Sequence, residues 1–575
     1  MVAIPAHLRP FIVEQHYDRY TPIDQAVWRY IMRQNLHHLE GTAHPSYVDG
    51  LRNSGITVDR IPDVDEMTRC LSRYGWAAVV VDGIIPTTVF MDFQAHGLLP
   101  ISAEIRSHEH IAYTPAPDIV HETAGHAPIL WDERYSRFVK RFGEIGARAL
   151  SNREDHEVYE ATRLVSILKE DPAATPERIR EAEADLQAKV AAVHDASEAT
   201  LAGRLYWWTV EYGLIGDLER PRLYGAGLLS SVGESLYCLT DAVRKIPFSL
   251  EACIRTPFDI TTYQPQLFVC RDFDELVAAV EELRSRMSFV IGGTTGLDRA
   301  LRSARTATLA LSSGLQWTGL VQALRHVAGE AVWVETEGPH QFSLDEHELP
   351  GFGREDSPAR IASPIGRLAD GTAPERLNPE QRRALGLVPG EDASLRYASG
   401  IEVRGRVVRL EQADSGLLFA ELVNARVTHG DAVLWAEPGP YFLLFGARVD
   451  SVWAGAADKE RFFADVYQPS PNRTIQRVFT PREHRLNAIY ADVRDAREQP
   501  SPNPAERLAD LAAALADYPE EWLPRLQLLE LARKVAPELA MRLRAELDAI
   551  ATDPERGPLI ANGLKVLEAT ACSQA

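Results

Sequence analysis

The sequence has few cysteines and no long apolar run. Five cysteines are scattered over 575 residues, and none belongs to a C-x-x-C pair. This pattern argues against a disulfide framework or a thiolate metal site, and it favours a reducing compartment. The N-terminus lacks an apolar stretch of signal-peptide length, and no run of about 18 apolar residues occurs. We therefore expect a cytoplasmic protein that does not span a membrane.

Basic charge is also scarce, because 61 lysines and arginines stand against 82 acidic residues, a net charge of −21. An acidic surface is repelled by phosphate backbones and anionic lipids, so neither nucleic acid nor membrane is an expected partner. Hydrophobic residues make up 45% and charged residues 25%, which is typical of a globular protein. The length suffices for several domains.

The hydrophobic pattern divides the chain into three parts. Residues 1–295 show helical periodicity around one buried strand, in WAAVVVDGIIP. Residues 296–475 carry β-branched runs separated by turn signals, and residues 476–575 include QPSPNPAERL leading into a helical tail. Gly292, Gly293 and Gly296 predict a turn or linker at the first boundary. We predict a mainly α domain, a β-rich region and a helical C-terminal tail.

Residues 151–203 form a polar, highly charged stretch within the first part. Thr175 and Pro176 suit the N-cap and first turn of a helix, and apolar residues follow at steps of three and four. This stretch is predicted to be a helical insertion outside any site. This stretch lies between His126 and Glu211 in the sequence, so the alternative is that it flanks or covers a site.

The stretch PDIVHETAGHAP places His121 and His126 five residues apart. The zinc-protease pattern H-E-x-x-H uses a spacing of four, whereas a spacing of five separates two side chains by about 140° on a regular α-helix. Both imidazoles could reach one metal only if the helix ends or distorts between them, which Gly125 and Pro128 would allow. The alternative is that two histidines lie close together by chance.

A carboxylate in an apolar setting would complete a metal site. Glu211 lies in LYWWTVEYGLIG among large aromatic residues, where an unpaired ionised carboxylate would be costly. Two histidines and one carboxylate are the ligands of non-haem ferrous enzymes. The alternative is a solvent-facing glutamate on a mostly buried helix.

Three motifs, PDIVHETAGHAP, LYWWTVEYGL and YGAGLLSSVGESLYC, occur in this order and closely resemble the pterin-dependent aromatic amino acid hydroxylases. The resemblance covers roughly residues 10–295. It implies a mainly α catalytic domain of the aromatic amino acid hydroxylase type, with Fe(2+) bound by His121, His126 and Glu211. It also implies a tetrahydropterin (tetrahydrobiopterin or a related reduced pterin), dioxygen and a free aromatic L-amino acid as partners. An irregular helical turn opened at Gly125 would then explain the histidine spacing.

The same resemblance implies roles for pocket residues. Arg106 would bind the substrate carboxylate, which a buried arginine holds best in a bidentate manner, and Asp118 would pair with this arginine. His108 and His110 match no family position and are expected to be exposed. The remaining substrate-side residues would be Thr114, Pro115, Trp207, Ser230, Glu234 and Ile260. The cofactor-side residues would be Gly83, Ile85, Phe90, Glu122 and Tyr206.

Two positions predict which aromatic amino acid is hydroxylated. Tyrosine-specific members have an aspartate where this chain has Ile260, and tryptophan enzymes have phenylalanine where it has Trp207. Phenylalanine hydroxylation to tyrosine is therefore the prediction, although ITT beside Ile260 resembles tryptophan 5-hydroxylases, which are the alternative. A non-catalytic regulatory or binding protein on a hydroxylase fold is the alternative of another class. Residues 1–295 are expected to fold and hydroxylate alone, and a homo-oligomer is possible but not readable from the sequence.

Overall fold

The computed structural model describes residues 2–83, 85–112, 118–170, 174–260, 262–463, 479–499 and 501–572. The helices of the first half are α1 Pro22–Thr42, α2 Ser46–Asn53, α3 Val64–Leu71, α4 Thr87–Ala95, α5 Glu133–Gly146, α6 Arg153–Glu170, α7 Pro176–Ala192, α8 Glu198–Tyr206, α9 Ala226–Ser230, α10 Glu234–Tyr237, α11 Leu250–Arg255, α12 Phe273–Ser285, α13 Ser288–Ile291 and α14 Gly293–Ser303. The strands are β1 Ala77–Val81, β2 Leu98–Ser102, β3 Leu214–Gly216, β4 Pro221–Leu223, β5 Arg244–Pro247 and β6 Gln266–Cys270. The first half is thus mainly helical, as predicted.

Local sequence signals account for several of these elements. Thr21 and Asp24 form a capping box in front of α1, with Pro22 at its first position. The predicted buried strand is β1, which pairs in parallel with β2 across the connecting helix α4. In the insertion, the side chain of Thr175 accepts a hydrogen bond from the amide of Arg178, so the predicted N-cap of α7 is confirmed.

The β-rich region forms antiparallel sheets among the described residues. Its strands are β7 Thr306–Leu311, β8 Gln316–Val327, β9 Glu330–Leu344, β10 His347–Glu348, β11 Arg360–Pro364, β12 Asp392–Arg396, β13 Ile401–Ala413, β14 Gly416–His429, β15 Ala432–Trp435, β16 Tyr441–Leu444 and β17 Val449–Ala454. One sheet has the order β10-β9-β8-β7-β17 with β11 on β9, and the other has β12-β13-β14-β15 with β16 on β14. Helices α15 Pro379–Ala384 and α16 Lys459–Phe463 accompany them.

At the first boundary Gly292 lies in a turn, as predicted, but Gly296 does not, and one helix of the predicted 476–575 tail precedes QPSPNPAERL. Gly292 has a positive φ of 52° at the turn between α13 and α14, where a Cβ would lie 2.5 Å from the carbonyl oxygen of Asp450. Gly296 lies inside α14 and not in a linker. The tail begins before QPSPNPAERL, because its helices are α17 Pro481–Glu498, α18 Pro504–Ala514, α19 Trp522–Val535, α20 Pro537–Ile550 and α21 Arg556–Cys572.

The C-terminal helices share a hydrophobic cluster with the first half of the chain. The ring of Tyr30 packs edge-to-face on Trp522, with centroids 5.1 Å apart, and its hydroxyl donates to the Leu559 carbonyl at 2.6 Å. Arg29 donates to both carboxylate oxygens of Glu530, at 3.0 and 3.2 Å. Helix α1 is therefore covered by the tail. Across the described residues, no helix is long and apolar enough to cross a membrane.

Candidate active site

Three predicted ligands, His121, His126 and Glu211, meet at one point. The Nε2 atoms of the histidines lie 3.2 Å apart. Glu211 places one carboxylate oxygen 3.1 Å from His121 Nε2 and the other 3.2 Å from His126 Nε2. All the potential ligand atoms lie within 4.8 Å of one another. This geometry suits one metal ion with two nitrogen ligands and one carboxylate.

The local helix geometry explains the spacing of five. Residues His121–His126 form a π-helix, whose i→i+5 hydrogen bonds bring residues five apart onto one face. Glu211 ends a second π-helix, Trp207–Glu211. The predicted irregular turn is therefore a π-helix. Gly125 is needed for packing, because a Cβ there would lie 2.6 Å from the Ala226 carbonyl oxygen in α9.

Ser230 at the end of α9 orients the first histidine. Its hydroxyl donates to the Ala226 carbonyl at 2.8 Å and lies 3.1 Å from Nδ1 of His121. With its proton already donated, the hydroxyl accepts the Nδ1 proton, which leaves the Nε2 lone pair directed at the metal position. Burial opposes protonation, but the Glu211 carboxylate raises the pKa of His121 to about 9. Binding of a metal would therefore displace a proton.

Arg106 and Asp118 form a buried pair beside this cluster. Arg106 Nε and Nη2 donate to the two oxygens of Asp118, at 2.9 and 2.8 Å, and the backbone amide of Arg106 donates at 2.9 Å. Burial raises the pKa of Asp118, but the Arg106 guanidinium holds it below its usual value. The Nε–Nη2 edge is thus taken by Asp118, and the bidentate contact predicted for a substrate carboxylate is not open along it. Nη1 donates to the Ser230 carbonyl at 3.4 Å, and Arg106 is among the residues that border the cavity.

Aromatic side chains line the substrate side of the cavity. Trp207 stacks on Phe258, with centroids 4.3 Å apart and an interplanar angle of 9°, and its Nε1 donates to Gln264 at 3.3 Å. Glu234 accepts hydrogen bonds from the backbone amide of Gln264 and from the Tyr212 hydroxyl. Burial raises the pKa of Glu234 to about 7. Ile260 lies in the wall of the same cavity.

Four of the five residues assigned to the cofactor side, Ile85, Phe90, Glu122 and Tyr206, line the cavity, and Gly83 is not among its lining residues. Gly83 has a positive φ of 62°, Ile85 is buried, and Phe90 packs edge-to-face on Tyr206 at 5.9 Å. The Glu122 carboxylate is buried, and in the described part of the chain its Oε2 atom has no hydrogen-bond partner. Burial raises the pKa of this carboxyl. His126 Nε2 lies 3.8 Å from this oxygen, so a buried acceptor without a hydrogen bond remains beside the aromatic wall, which fits a flat ligand that carries hydrogen-bond donors.

One cavity of about 1710 Å³ connects the metal ligands, Arg106 and both of these walls. Helices α6 and α7 of the insertion also border it, through residues that include Tyr159, Arg163 and Leu186. The prediction that the insertion lies outside the site is therefore wrong, and its position flanking the site is the correct description. Residues at both ends of the β-rich region, among them Arg305 and Lys459, border the same cavity.

Some site predictions lie outside the described residues or differ from the structure. Thr114 and Pro115 lie outside the described residues. His108 and His110 are half-buried and not exposed, because His108 stacks on Trp522 of α19 with centroids 5.7 Å apart. Sequence reasoning missed Gln264, although it lies in the same FDITTYQ loop as Ile260. It also missed Lys459, for which no local signal exists.

Comparison with known proteins identifies relatives that match the first half of the chain. A family model described as biopterin-dependent aromatic amino acid hydroxylase matches residues 16–164 and 184–290. The phenylalanine-4-hydroxylase of Ralstonia nicotianae is 30% identical over 275 residues, which are 47% of this chain and 74% of the relative. That of Pseudomonas aeruginosa is 28% identical over 264 residues, 46% of this chain and 84% of the relative.

One solved structure is that of Chromobacterium violaceum phenylalanine hydroxylase with bound iron(III) and the oxidized cofactor 7,8-dihydrobiopterin. It is 26% identical, covers 48% of this chain and 86% of its own, and has a TM-score of 0.39. The family match stops inside α6, resumes inside α7 and ends at residue 290. The tip of the insertion and everything beyond α13 are thus outside the match.

Proposed function

The chain belongs to the biopterin-dependent aromatic amino acid hydroxylases, and we propose that it hydroxylates free L-phenylalanine to tyrosine. The observation that carries this proposal is the cluster of His121, His126 and Glu211 on two π-helices, in the same cavity as the Arg106–Asp118 pair. The curated relatives described above are phenylalanine-4-hydroxylases. The enzyme uses dioxygen, a reduced pterin and an aromatic amino acid.

The metal ligands fit Fe(2+). Two imidazole nitrogens and one carboxylate occupy one side of a metal and leave positions open, whereas closed tetrahedral zinc sites do not. When bound, the ferrous ion and the tetrahydropterin supply the electrons that activate dioxygen. Ser230 keeps the His121 tautomer correct for ligation, and Glu211 neutralises part of the metal charge.

The chain's own residues position the substrate. Arg106, fixed by Asp118, presents Nη1 to the carboxylate of the amino acid. Trp207, which packs against Phe258 and Tyr212, contributes apolar surface to the cavity wall that would border the ring.

Phenylalanine is favoured over tyrosine because Ile260 offers no hydrogen bond to a phenolic hydroxyl, although an apolar pocket rejects an added hydroxyl only by about a hundredfold. Tryptophan remains the second candidate, since the ITT sequence of the same loop resembles tryptophan enzymes. The complete ligand set argues against a non-catalytic protein.

The pterin is proposed to bind against Phe90 and Tyr206, with the backbone of Gly83 and of Ile85 along one edge. Oε2 of Glu122, which has no hydrogen-bond partner among the described residues, would accept a hydrogen bond from the pterin ring. A cytoplasmic location remains a prediction, with which the free Cys70, Cys238, Cys253 and Cys270 agree.

The deciding experiment is aerobic turnover of phenylalanine, tyrosine and tryptophan with ferrous iron and tetrahydrobiopterin, with products identified by mass spectrometry. We expect tyrosine from phenylalanine as the main product. Glu211→Ala should abolish turnover and iron binding while the circular dichroism spectrum stays that of the parent. If 5-hydroxytryptophan were the main product, tryptophan would replace phenylalanine as the proposed substrate. If none of the three amino acids gave a product, the proposed activity would be rejected.

A further inference from the structure

The short helix α16 brings residues of the β-rich region into the catalytic cavity. It starts at Lys459, five residues after the end of β17, and both Lys459 and Phe463 border the cavity with Phe90 of α4. The family match ends at residue 290, so α16 has no counterpart in it. The cofactor side of the cavity is therefore completed by a part of the chain that the family model does not include.

Lys459 forms an ion pair with a buried carboxylate on the cofactor side of the cavity. Its Nζ lies 2.8 Å from Oδ2 of Asp92 in α4, and Nε2 of His7 lies 2.9 Å from the same oxygen. His96 approaches the other carboxylate oxygen at 3.4 Å. Asp92 is 6% exposed, and burial alone would raise its pKa, but His7, His96 and Lys459 hold that pKa far below its usual value.

A second contact ties the same helix to the N-terminus. The Glu460 carboxylate accepts a hydrogen bond from the Ala6 amide at 3.0 Å, at the start of the 3-10 helix Ala6–Phe11. Leu8 and Phe11 of that segment form a hydrophobic cluster with Ile85, and Phe90 packs against this cluster. Helix α16 thus holds two of the segments that shape the cofactor side.

We propose that Lys459 is a positioning residue for the pterin, because its ion pair with Asp92 fixes α4 and so places Phe90, two residues away, against the cofactor. This inference rests on the proposed function. Its physical basis is that a buried carboxylate without its cation would be drawn towards water, and α4 would move with it.

The test compares variants of the full-length ferrous protein, without oxygen, by calorimetric titration with 7,8-dihydrobiopterin. Lys459→Met keeps the length of the side chain and removes its charge, and should raise the Kd about tenfold, a typical cost of one lost charged hydrogen bond. Lys459→Arg should bind the pterin as the parent does. Arg461→Met is the matched control, because this neighbour on α16 has a side chain that is 72% exposed.

Hydrogen–deuterium exchange gives a readout that is independent of the pterin. Lys459→Met should speed amide exchange within residues 87–95, and Arg461→Met should not. With saturating pterin, the KM for phenylalanine should stay within twofold of the parent in all variants. A parental Kd or a parental exchange rate in Lys459→Met would overturn the inference.

The two hypotheses fail in different ways. A parent protein that neither binds 7,8-dihydrobiopterin nor hydroxylates any aromatic amino acid would reject the proposed function. The exchange rates of α4 would still show whether Lys459 fixes that helix. A tight-binding, active parent together with an unchanged exchange rate or an unchanged Kd in Lys459→Met would reject the positioning role alone.

Discussion

At the scale of single residues, the hydroxyl of Ser230 decides which nitrogen of His121 can bind metal. Ser230→Ala removes the acceptor for the Nδ1 proton, and loss of such a contact lowers metal affinity by about 10–100-fold. Anaerobic titration of the metal-free protein with Fe(2+), competed with a chelator, measures this. Ser235→Ala is the control, since its buried hydroxyl donates to the Val232 carbonyl. Equal affinities in both variants would mean that Ser230 does not orient the ligand.

Arg106 carries both a structural pair and the proposed substrate contact. Arg106→Lys keeps the charge but loses the planar group that bonds Asp118 and presents Nη1. We expect the KM for phenylalanine to rise about tenfold, because a hydrogen bond to a charged group contributes roughly 1.5–3 kcal/mol. The KM for the tetrahydropterin should stay nearly unchanged in steady-state assays. Equal increases in both constants would assign Arg106 a structural role only.

Ile260 is the position where the substrate preference can be altered. Ile260→Asp places a carboxylate that has no partner opposite a phenylalanine ring, whereas a phenol can donate a hydrogen bond to it. The ratio of kcat/KM for phenylalanine to that for tyrosine should shift towards tyrosine by about 1–3 kcal/mol. Parallel assays with iron content checked provide the measurement. An unchanged ratio would show that Ile260 does not face the ring.

At the scale of elements, the π-helix His121–His126 depends on its close approach to α9. Gly125→Ala would place a Cβ 2.6 Å from a backbone carbonyl oxygen, so the two elements must separate. Overpacking of this kind costs about 1–3 kcal/mol, and iron affinity should fall with it. Chemical denaturation and iron titration measure the two effects.

Gly203→Ala in α8 is the matched control for that variant. Nothing lies within 4 Å of the Cβ added there, so alanine should stabilise the helix by about 0.5–1 kcal/mol. Iron affinity should remain that of the parent. If Gly125→Ala behaved in the same way, the proposed packing of the π-helix against α9 would be incorrect.

At the scale of the whole molecule, the C-terminal helices take part in the core of the catalytic half. Trp522 is 1% exposed and contacts both Tyr30 of α1 and His108, two residues after Arg106. Trp522→Ala should lower the free energy of unfolding by about 3–5 kcal/mol. The midpoint of urea denaturation measures this, with Trp131→Ala as the control because Trp131 is 44% exposed. Equal losses in both variants would contradict a shared core.

This packing bears on the prediction that residues 1–295 fold and hydroxylate alone. Removing the rest of the chain would expose Tyr30 and would delete Lys459 and Trp522 from the surroundings of the site. The independence of residues 1–295 stays a prediction, and the shared core argues against it. A soluble truncated protein with parental pterin affinity and turnover would show that the remaining chain is dispensable.

Much of the site was predictable because its signals are local. The candidate ligands His121, His126 and Glu211 lie in short motifs, and β1 and the capped helix α7 follow from apolar runs and capping residues. The exact helix type was not predictable. A π-helix is stabilised here by tertiary packing of Gly125 on Ala226, which the periodicity of one segment does not contain.

The sequence by itself determined the chemistry of the ligands and the family, because side-chain identity within a motif decides which metal and which reaction are possible. Only the tertiary structure decided what surrounds that site. The insertion flanks the cavity, Lys459 reaches Asp92 from 367 positions along the chain, and Trp522 covers His108. The physical reason is that burial and ion pairing act through space. Contacts between distant segments depend on how whole elements pack, and local propensity does not encode them.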